Sequence, residues 1–130
     1  MGTRKRLLFV DDEPNIRLTL PPVLEDHGFE VTAAGTVAEA VGKINSAEFD
    51  VLLSDLNIGE DGDGFHVVKA MRQRHPRCVT LILTGYPAFE SALLAIRHQV
   101  DDYLVKPADI DVLVKTINSK FSDQDGGTAD

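Results

Sequence analysis

Residues 7–14 read LLFVDDEP. The four apolar residues from Leu7 to Val10 predict a short strand buried on both faces, as in parallel sheets. Asp12 can cap a helix that follows the strand, and Pro14 suits the first turn of that helix. A strand that leads directly into a helix is the first half of a βα repeat, so this stretch indicates an α/β fold.

The same alternation continues through the rest of the chain. Further apolar runs predict strands at 31–34, 51–54, 79–83 and 101–105. Each strand is followed by a predicted helix, and the last two helices cover 89–98 and 110–121. Five strands and five helices in alternation predict a doubly wound parallel sheet in the order 2-1-3-4-5, with helices on both faces.

Pro21 and Pro22 fall inside the first predicted helix. An interior proline removes a backbone hydrogen bond and costs about 3 kcal/mol. We therefore expect a kink or an early break near Leu20.

The composition fits a single acidic domain. The chain has 130 residues, enough for one core, and we predict a domain at 4–121 and a flexible tail or linker at 122–130, which has no large apolar residue. The formal net charge of −8 disfavours direct nucleic-acid binding by this chain. No apolar run approaches the length of a membrane span, so we expect a cytoplasmic protein without membrane contact.

Three of the predicted strands end in charged residues. The first strand ends at Asp11 and Asp12, the third at Asp55 and the fifth at Lys106. The carboxyl ends of parallel strands lie at one edge of the sheet, and in this strand order the ligand crevice opens between strands 1 and 3. The sequence therefore predicts one site at that edge, built from three acids and a lysine.

Three neighbouring carboxylates repel one another unless a positive charge lies among them. A divalent cation meets that need, and Mg²⁺ prefers oxygen ligands of this kind. A carboxylate can also act as a nucleophile towards phosphorus, so Asp55 is the candidate acceptor of a phosphoryl group. Lys106 would then bind the phosphoryl oxygens, and the Thr84 hydroxyl at the end of the fourth strand would donate a hydrogen bond to one of them.

This set of motifs resembles the receiver domain of two-component response regulators, over nearly the whole span from residue 4 to residue 121. Each motif is weak alone, whereas the full set in order, each at a strand end, is specific. The matching residues are Val10-Asp11-Asp12-Glu13, Asp55, Thr84-Gly85 and Lys106-Pro107, and the last peptide bond is a candidate for the cis form. The resemblance implies the flavodoxin-like fold of chemotaxis-type regulators.

The resemblance also implies roles for individual residues. It implies that Mg²⁺ (or Mn²⁺) is held by Asp12, Asp55 and the backbone carbonyl of Asn57, with Asp11 supporting the ion through water. It further implies a phosphoprotein in a phosphorelay, in which Asp55 takes its phosphoryl group from a histidine kinase or a histidine phosphotransfer protein. Such a module would catalyse only its own phosphorylation and dephosphorylation, so we do not predict a metabolic enzyme.

The implied switch couples Thr84 with Tyr103. A new dianionic group pulls Thr84 inward, and Tyr103 then rotates from an exposed to a buried position. The readout face is formed by strand 4, the helix after it, strand 5 and the last helix. A downstream effector would bind there, and a phosphorylation-dependent homodimer is a further possible arrangement.

The loop after Asp55 departs from the family pattern. Residues 58–64 read IGEDGDG, which lacks the family's proline and is one residue longer. This difference affects where the Asn57 carbonyl is expected. Glu60, Asp61 and Asp63 also add negative charge near the predicted pocket.

Other interpretations of the same residues stay open. The acids before Pro14 could form an ordinary helix cap, and Tyr103 fits equally well as a half-buried strand aromatic. A phosphatase similar to the haloacid dehalogenase group also uses an aspartate nucleophile, but it normally has another carboxylate two residues later, where this chain has Asn57. A receiver-like interaction domain that is never phosphorylated would have no reason to keep a repulsive acidic pocket.

Overall fold

The computed structural model describes residues 4–60, 62–85, 100–107 and 109–126. The elements along these ranges are, in chain order, β1 Lys5–Val10, α1 Pro14–Asp26, β2 Phe29–Ala34, α2 Val37–Ser46, β3 Val51–Asp55, α3 Asp63–Arg74, β4 Val79–Thr84, β5 Asp102–Val105 and α4 Ile110–Gly126. The helix predicted at 89–98 lies outside the described residues. Within them, no helix has both the length and the apolar character that crossing a membrane requires.

The five strands form one sheet in the order β2-β1-β3-β4-β5, as predicted. Every neighbouring pair is parallel. The register places Val10 beside Ser54, and Asp55 beside Leu83. The residues that end β1, β3 and β4 therefore lie at the same edge of the sheet.

The hydrophobic core is divided into two clusters by the sheet. Alternate residues of β1 point to opposite faces, so Leu8 joins one cluster and Leu7 joins the other. Helices α2 and α3 cover the first cluster, and α1 and α4 cover the second. The described helices therefore lie on both faces of the sheet, which is the doubly wound arrangement expected from the sequence.

Helix α1 runs through both of its prolines, so the early break expected near Leu20 is wrong, whereas the kink stays a prediction. Pro21 and Pro22 cannot donate to the backbone carbonyls one turn earlier, which include that of Leu18. The Leu18 side chain is 74% exposed, so this part of the helix faces water, which can bond the free carbonyls. Leu24, beyond the prolines, is completely buried in the core, and its burial favours continuing the helix.

Two other helix ends are also well defined. Thr36 caps α2, because its side chain accepts a hydrogen bond of 3.0 Å from the backbone N–H of Glu39. Helix α4 continues to Gly126, five residues beyond the predicted end at Phe121. The first part of the predicted flexible tail is therefore helical.

The end of β5 farthest from the acidic site is held by a network around Arg72 of α3. The Arg72 guanidinium donates to Asp101 Oδ2 at 2.8 Å and to the Cys78 carbonyl at 2.8 Å. Asp101 Oδ2 also accepts a 2.7 Å bond from the backbone N–H of Thr80. Because Asp101 directly precedes β5, this network fixes the start of the strand against α3 and β4.

Candidate phosphoacceptor and metal site

The structure brings the charged strand ends together at the carboxyl edge of the sheet. Lys106, which follows β5, places its Nζ 3.0 Å from Asp11 Oδ2 and 3.2 Å from Asp55 Oδ2. Asp11 follows β1, and Asp55 ends β3. One ammonium group therefore lies between two carboxylates that are 44 positions apart in the chain.

Asp12 completes a cluster of three carboxylates. Asp11, Asp12 and Asp55 each offer an oxygen atom, and these oxygens all lie within 4.8 Å of one another. Asp11 is buried, Asp55 is half-buried and Asp12 is exposed, so the cluster opens to solvent on the Asp12 side. Three negative charges with one ammonium group leave an excess of negative charge, and hard oxygen donors around an open position suit a divalent cation of the Mg²⁺ type.

The pKa of Asp55 reflects first its burial and then the charges of its neighbours. Burial raises the pKa of the Asp55 carboxyl; Lys106 lowers it, the Asp11 charge raises it further, and the net pKa is raised. Burial alone would lower the pKa of Lys106, but the hydrogen bond to Asp11 and the charges of Asp55 and Asp11 outweigh it and raise that pKa. The lysine is thus held in its charged form. For Asp55, the attraction of Lys106 does not offset the effects of burial and of the Asp11 charge.

The turn between β1 and α1 orients the two acids differently. Asp11 Oδ1 accepts a 2.9 Å hydrogen bond from the backbone N–H of Glu13, and Asp12 Oδ2 accepts one of 3.0 Å from the backbone N–H of Gly59. The expected capping role of Asp12 is therefore wrong. Glu13 occupies the N-cap position of α1 without a side-chain cap bond, and the Asp12 carboxylate is directed at the loop after β3.

The loop after β3 depends on glycine at three positions. Gly59 and Gly62 have φ angles of 87° and 80°, a region that other residues rarely adopt. The N–H of Gly62 donates to Asn57 Oδ1 at 2.9 Å. A Cβ atom on Gly64 would collide with the backbone carbonyl of Asp55. The loop can therefore pack closely against the end of β3 only with glycine at position 64.

The remaining predicted site residues lie at or near the same edge. The buried Thr84 ends β4, and its carbonyl accepts a 2.7 Å bond from the backbone N–H of Lys106. The Lys106-Pro107 peptide bond is cis, as the sequence suggested. Tyr103 packs against the cluster covered by α2 and α3, and its buried hydroxyl has no hydrogen-bond partner among the described residues. The backbone of Asn57 forms a hydrogen bond with the Asp55 carboxylate, and the role of the Asn57 carbonyl as a metal ligand stays a prediction.

Two residues near the site were not identified from the sequence. The backbone N–H of Gly59 donates to Asp12, which lies 47 positions earlier in the chain. The sequence signal for this residue was its position in a glycine-rich loop. Arg17 donates a 2.8 Å hydrogen bond from Nη1 to the backbone carbonyl of Asp11. An arginine on a surface helix gives no such signal, because most such residues are solvated.

The family model for the response regulator receiver domain matches residues 7–118 of the chain. The chain belongs to this family. The match confirms the resemblance seen in the strand-end motifs and extends from within β1 into α4. It gives no support to the alternative of a haloacid dehalogenase type phosphatase.

A curated relative of the chain is the photosynthetic apparatus regulatory protein RegA of Rhodobacter capsulatus. The two are 33% identical over 120 residues, which make up 92% of this chain and 65% of RegA. The chain therefore spans just under two thirds of the length of that relative.

Three solved structures share the fold and more than a quarter of the sequence. A CheY-like receiver domain protein from Methanospirillum hungatei has a TM-score of 0.87 at 27% identity, covering 95% of this chain and 98% of that one. A response regulator from Burkholderia pseudomallei, solved with a phosphorylated aspartic acid, a calcium ion and citrate, has a TM-score of 0.82 at 27% identity, covering 96% and 73%. TrrA from Thermotoga maritima, solved in complex with Mg²⁺-BeF, has a TM-score of 0.76 at 32% identity, covering 89% and 98%.

Proposed function

We propose that this receiver domain is the phosphoacceptor module of a two-component pathway and that Asp55 carries the phosphoryl group. One observation supports this assignment above the others. The Asp55 carboxylate, only 13% exposed, lies 3.2 Å from Lys106 Nζ and within a cluster of three acids at the carboxyl edge of the sheet. Among the three acids, Asp55 is the one that is neither fully buried, like Asp11, nor exposed, like Asp12.

The proposed reaction is an in-line transfer to a carboxylate oxygen of Asp55. That oxygen forms a bond to phosphorus, while the P–N bond of a phosphohistidine donor breaks and the imidazole nitrogen keeps the electron pair. Lys106 stabilises the charge on the phosphoryl oxygens, and the Thr84 hydroxyl donates to one of them. Hydrolysis reverses the modification, since attack of water on phosphorus releases inorganic phosphate and restores the carboxylate.

The proposed metal ligands are Asp12, Asp55 and the backbone carbonyl of Asn57, with Asp11 acting through water. The mutual distances of the three carboxylates and their excess negative charge support this set. The Mg²⁺-BeF complex of TrrA supports Mg²⁺ as the ion. Mn²⁺ is the alternative ion that the family resemblance implies. When bound, the ion neutralises charge on the phosphoryl oxygens during transfer.

The proposed partners follow from the family. A histidine kinase or a histidine phosphotransfer protein would supply the phosphoryl group, and a downstream effector would read the surface formed by β4, β5, α4 and the segment between β4 and β5. The module would catalyse its own phosphorylation and dephosphorylation and no metabolic reaction. A cytoplasmic location and a phosphorylation-dependent homodimer stay predictions.

The proposed switch uses Thr84 and Tyr103. Thr84 is buried at the end of β4, beside the acidic edge, and Tyr103 packs against the core in β5. Attraction of Thr84 towards a phosphoryl group on Asp55 would change the space available to the Tyr103 ring, which would shift a pre-existing equilibrium between two arrangements.

The assignment of Asp55 is tested by incubating the protein with acetyl phosphate and Mg²⁺ and measuring its intact mass. We expect one phosphoryl adduct in the native chain, and none after chelation of the metal or in Asp55→Asn. Asp26→Asn is the matched control, because Asp26 is an exposed aspartate at the far end of α1. An adduct that persists in Asp55→Asn would exclude Asp55 as the acceptor, and multiple turnover of a simple phosphoester would favour a phosphatase.

A further inference from the structure

The peptide group that joins Asp11 to Asp12 is held by the neighbouring helix. Arg17, on α1, reaches back to the end of β1, where its Nη1 donates a 2.8 Å hydrogen bond to the Asp11 carbonyl oxygen. The Asp11 N–H donates in turn to the carbonyl of Ala34 in β2 at 3.1 Å. The backbone of Asp11 is therefore held on one side by the sheet and on the other by a guanidinium group.

The space for this guanidinium group exists because residue 35 is glycine. A Cβ atom on Gly35 would lie 2.8 Å from both Cζ and Nη1 of Arg17, and 3.3 Å from its Nε. These are the three nearest atoms to that position, and all of them belong to Arg17. Any side chain at position 35 would therefore displace the guanidinium, which is the far end of a flexible side chain.

The position of this peptide group matters because it carries two of the three carboxylates. A peptide unit is planar, so fixing the Asp11 carbonyl also fixes the N–H and the Cα atom of Asp12. Groups that orient metal ligands in this indirect way typically change metal affinity about 10–100-fold when they are lost. We propose that Arg17 is a positioning residue for the metal site and that Gly35 is required to seat it.

This inference rests on the proposed function, because it assumes that Asp12 and Asp55 bind a divalent cation. Arg17 itself does not touch the ion or the phosphoryl group in this scheme. Its loss should therefore weaken metal binding without changing the rate of transfer once the site is filled. A residue that only stabilised the fold would show neither a selective loss of affinity nor rescue by excess Mg²⁺.

The first experiment measures Mg²⁺ affinity from the amide NMR shifts of Asp12 and Gly59 during titration. We expect Arg17→Ala and Gly35→Ala to weaken Mg²⁺ binding by about tenfold. Gly42→Ala is the matched control, since a Cβ atom on Gly42 meets nothing within 4 Å, and it should leave the affinity unchanged. In the metal-free protein, the Glu13 amide, which donates to Asp11 Oδ1, should shift in both test variants and not in the control.

The second experiment is a double-mutant cycle on the same two positions. If Gly35→Ala acts only by displacing the guanidinium, adding it to Arg17→Ala should produce no further loss of Mg²⁺ affinity. Phosphorylation by acetyl phosphate, followed by intact mass, should require about tenfold more Mg²⁺ in each single variant and reach the native maximal rate at saturation. Thermal unfolding in chelator verifies that every variant is folded.

The two possible failures are distinguishable. Native protein that neither binds Mg²⁺ nor becomes phosphorylated would overturn the proposed function itself. Native protein that does both, alongside an Arg17→Ala variant of equal Mg²⁺ affinity, would overturn the positioning role alone. Additive losses in the double variant would show that Gly35→Ala acts through some other contact, and the claim that Gly35 seats Arg17 would be wrong.

Discussion

Replacing Lys106 by methionine should destabilise the metal-free protein substantially. Lys106 Nζ lies 3.0 Å from Asp11 and 3.2 Å from Asp55, and the side chain is 29% exposed. Methionine keeps much of the length and apolar surface of lysine, so the variant mainly removes the charge and its hydrogen bonds. Two carboxylates, one of them buried, would then repel each other without a cation between them.

The size of the effect follows from the burial of the three groups. Removing one partner of a fully buried ion pair costs about 3–5 kcal/mol, whereas an exposed pair contributes about 0–1 kcal/mol. Since Asp11 is buried and Lys106 is partly exposed, we expect the free energy of unfolding at pH 7 to fall by about 2–3 kcal/mol. Lys120→Met is the matched control, because the Lys120–Asp102 pair is 4.0 Å apart with side chains 30% and 38% exposed. Lys120→Met should lower the free energy of unfolding by less than about 1 kcal/mol.

Urea unfolding at several pH values, with and without Mg²⁺, measures this loss. Because the folded pKa of Lys106 is raised, its stabilisation is present below the ordinary lysine pKa of 10.5 and is lost as the pH rises through the folded value. The deficit of Lys106→Met should also shrink in acid, where Asp55 becomes protonated, and in Mg²⁺, which supplies the missing positive charge. Equal losses in Lys106→Met and Lys120→Met would refute this account of the site.

Three other outcomes follow from the structure. The pKa of Asp55 is raised, so the charged carboxylate destabilises the folded state relative to the unfolded state at neutral pH. In chelator, Asp55→Asn should therefore unfold at a higher urea concentration than the native protein. Mg²⁺ should no longer stabilise this variant. Gly64→Ala should destabilise the protein by about 1–3 kcal/mol, because its Cβ atom would collide with the Asp55 carbonyl. Gly42→Ala should stabilise it by about 0.5–1 kcal/mol, because Gly42 lies in a helix and its Cβ position is open. Thermal unfolding measures both changes. Burial raises the pKa of Cys78 to about 11. Iodoacetamide at pH 8 should therefore label Cys78 slowly in the native protein and quickly in urea. Fast labelling of the native protein would contradict the burial of this residue.

The convergence of the acids was predictable because it depends on regular structure. Continuous apolar runs identify strands buried on both faces, and parallel strands bring their carboxyl ends to one edge. The meeting of Asp11, Asp55 and Lys106 follows directly from those two rules. In the structure, both carboxylates lie within 3.2 Å of the Lys106 ammonium group. No long-range information beyond the strand order was needed.

The course of α1 was not predictable from local propensity. The cost of two interior prolines predicts a break, but the complete burial of Leu24 one turn later favours the helix. The energy of that burial depends on α1 packing against the sheet, and local sequence rules do not include it. The extension of α4 to Gly126 was not predicted either, because the residues after Phe121 are polar or small.

The fine geometry of the site also depends on loops. Asp12 looked like a helix cap, yet its carboxylate accepts from Gly59, which lies 47 positions away in a loop with a positive φ angle. Arg17 and Gly35 are separated by a whole strand, and only their contact in space reveals that they fit one another. Such pairs are set by the path of the chain between regular elements, which periodicity does not describe.

The two ends of the edge strand β5 are held by different charged groups, and only one of these groups belongs to the acidic site. Asp101, before the strand, is bound to Arg72 and to the backbone of Thr80, and neither partner belongs to the acidic site. Lys106, after the strand, is bound to Asp11 and Asp55, which form the proposed site for a cation and a phosphoryl group. In the proposed phosphorylated state, a change at Asp55 would act on the Lys106 end of β5 alone, because the contacts of Asp101 at the other end do not involve the acidic site.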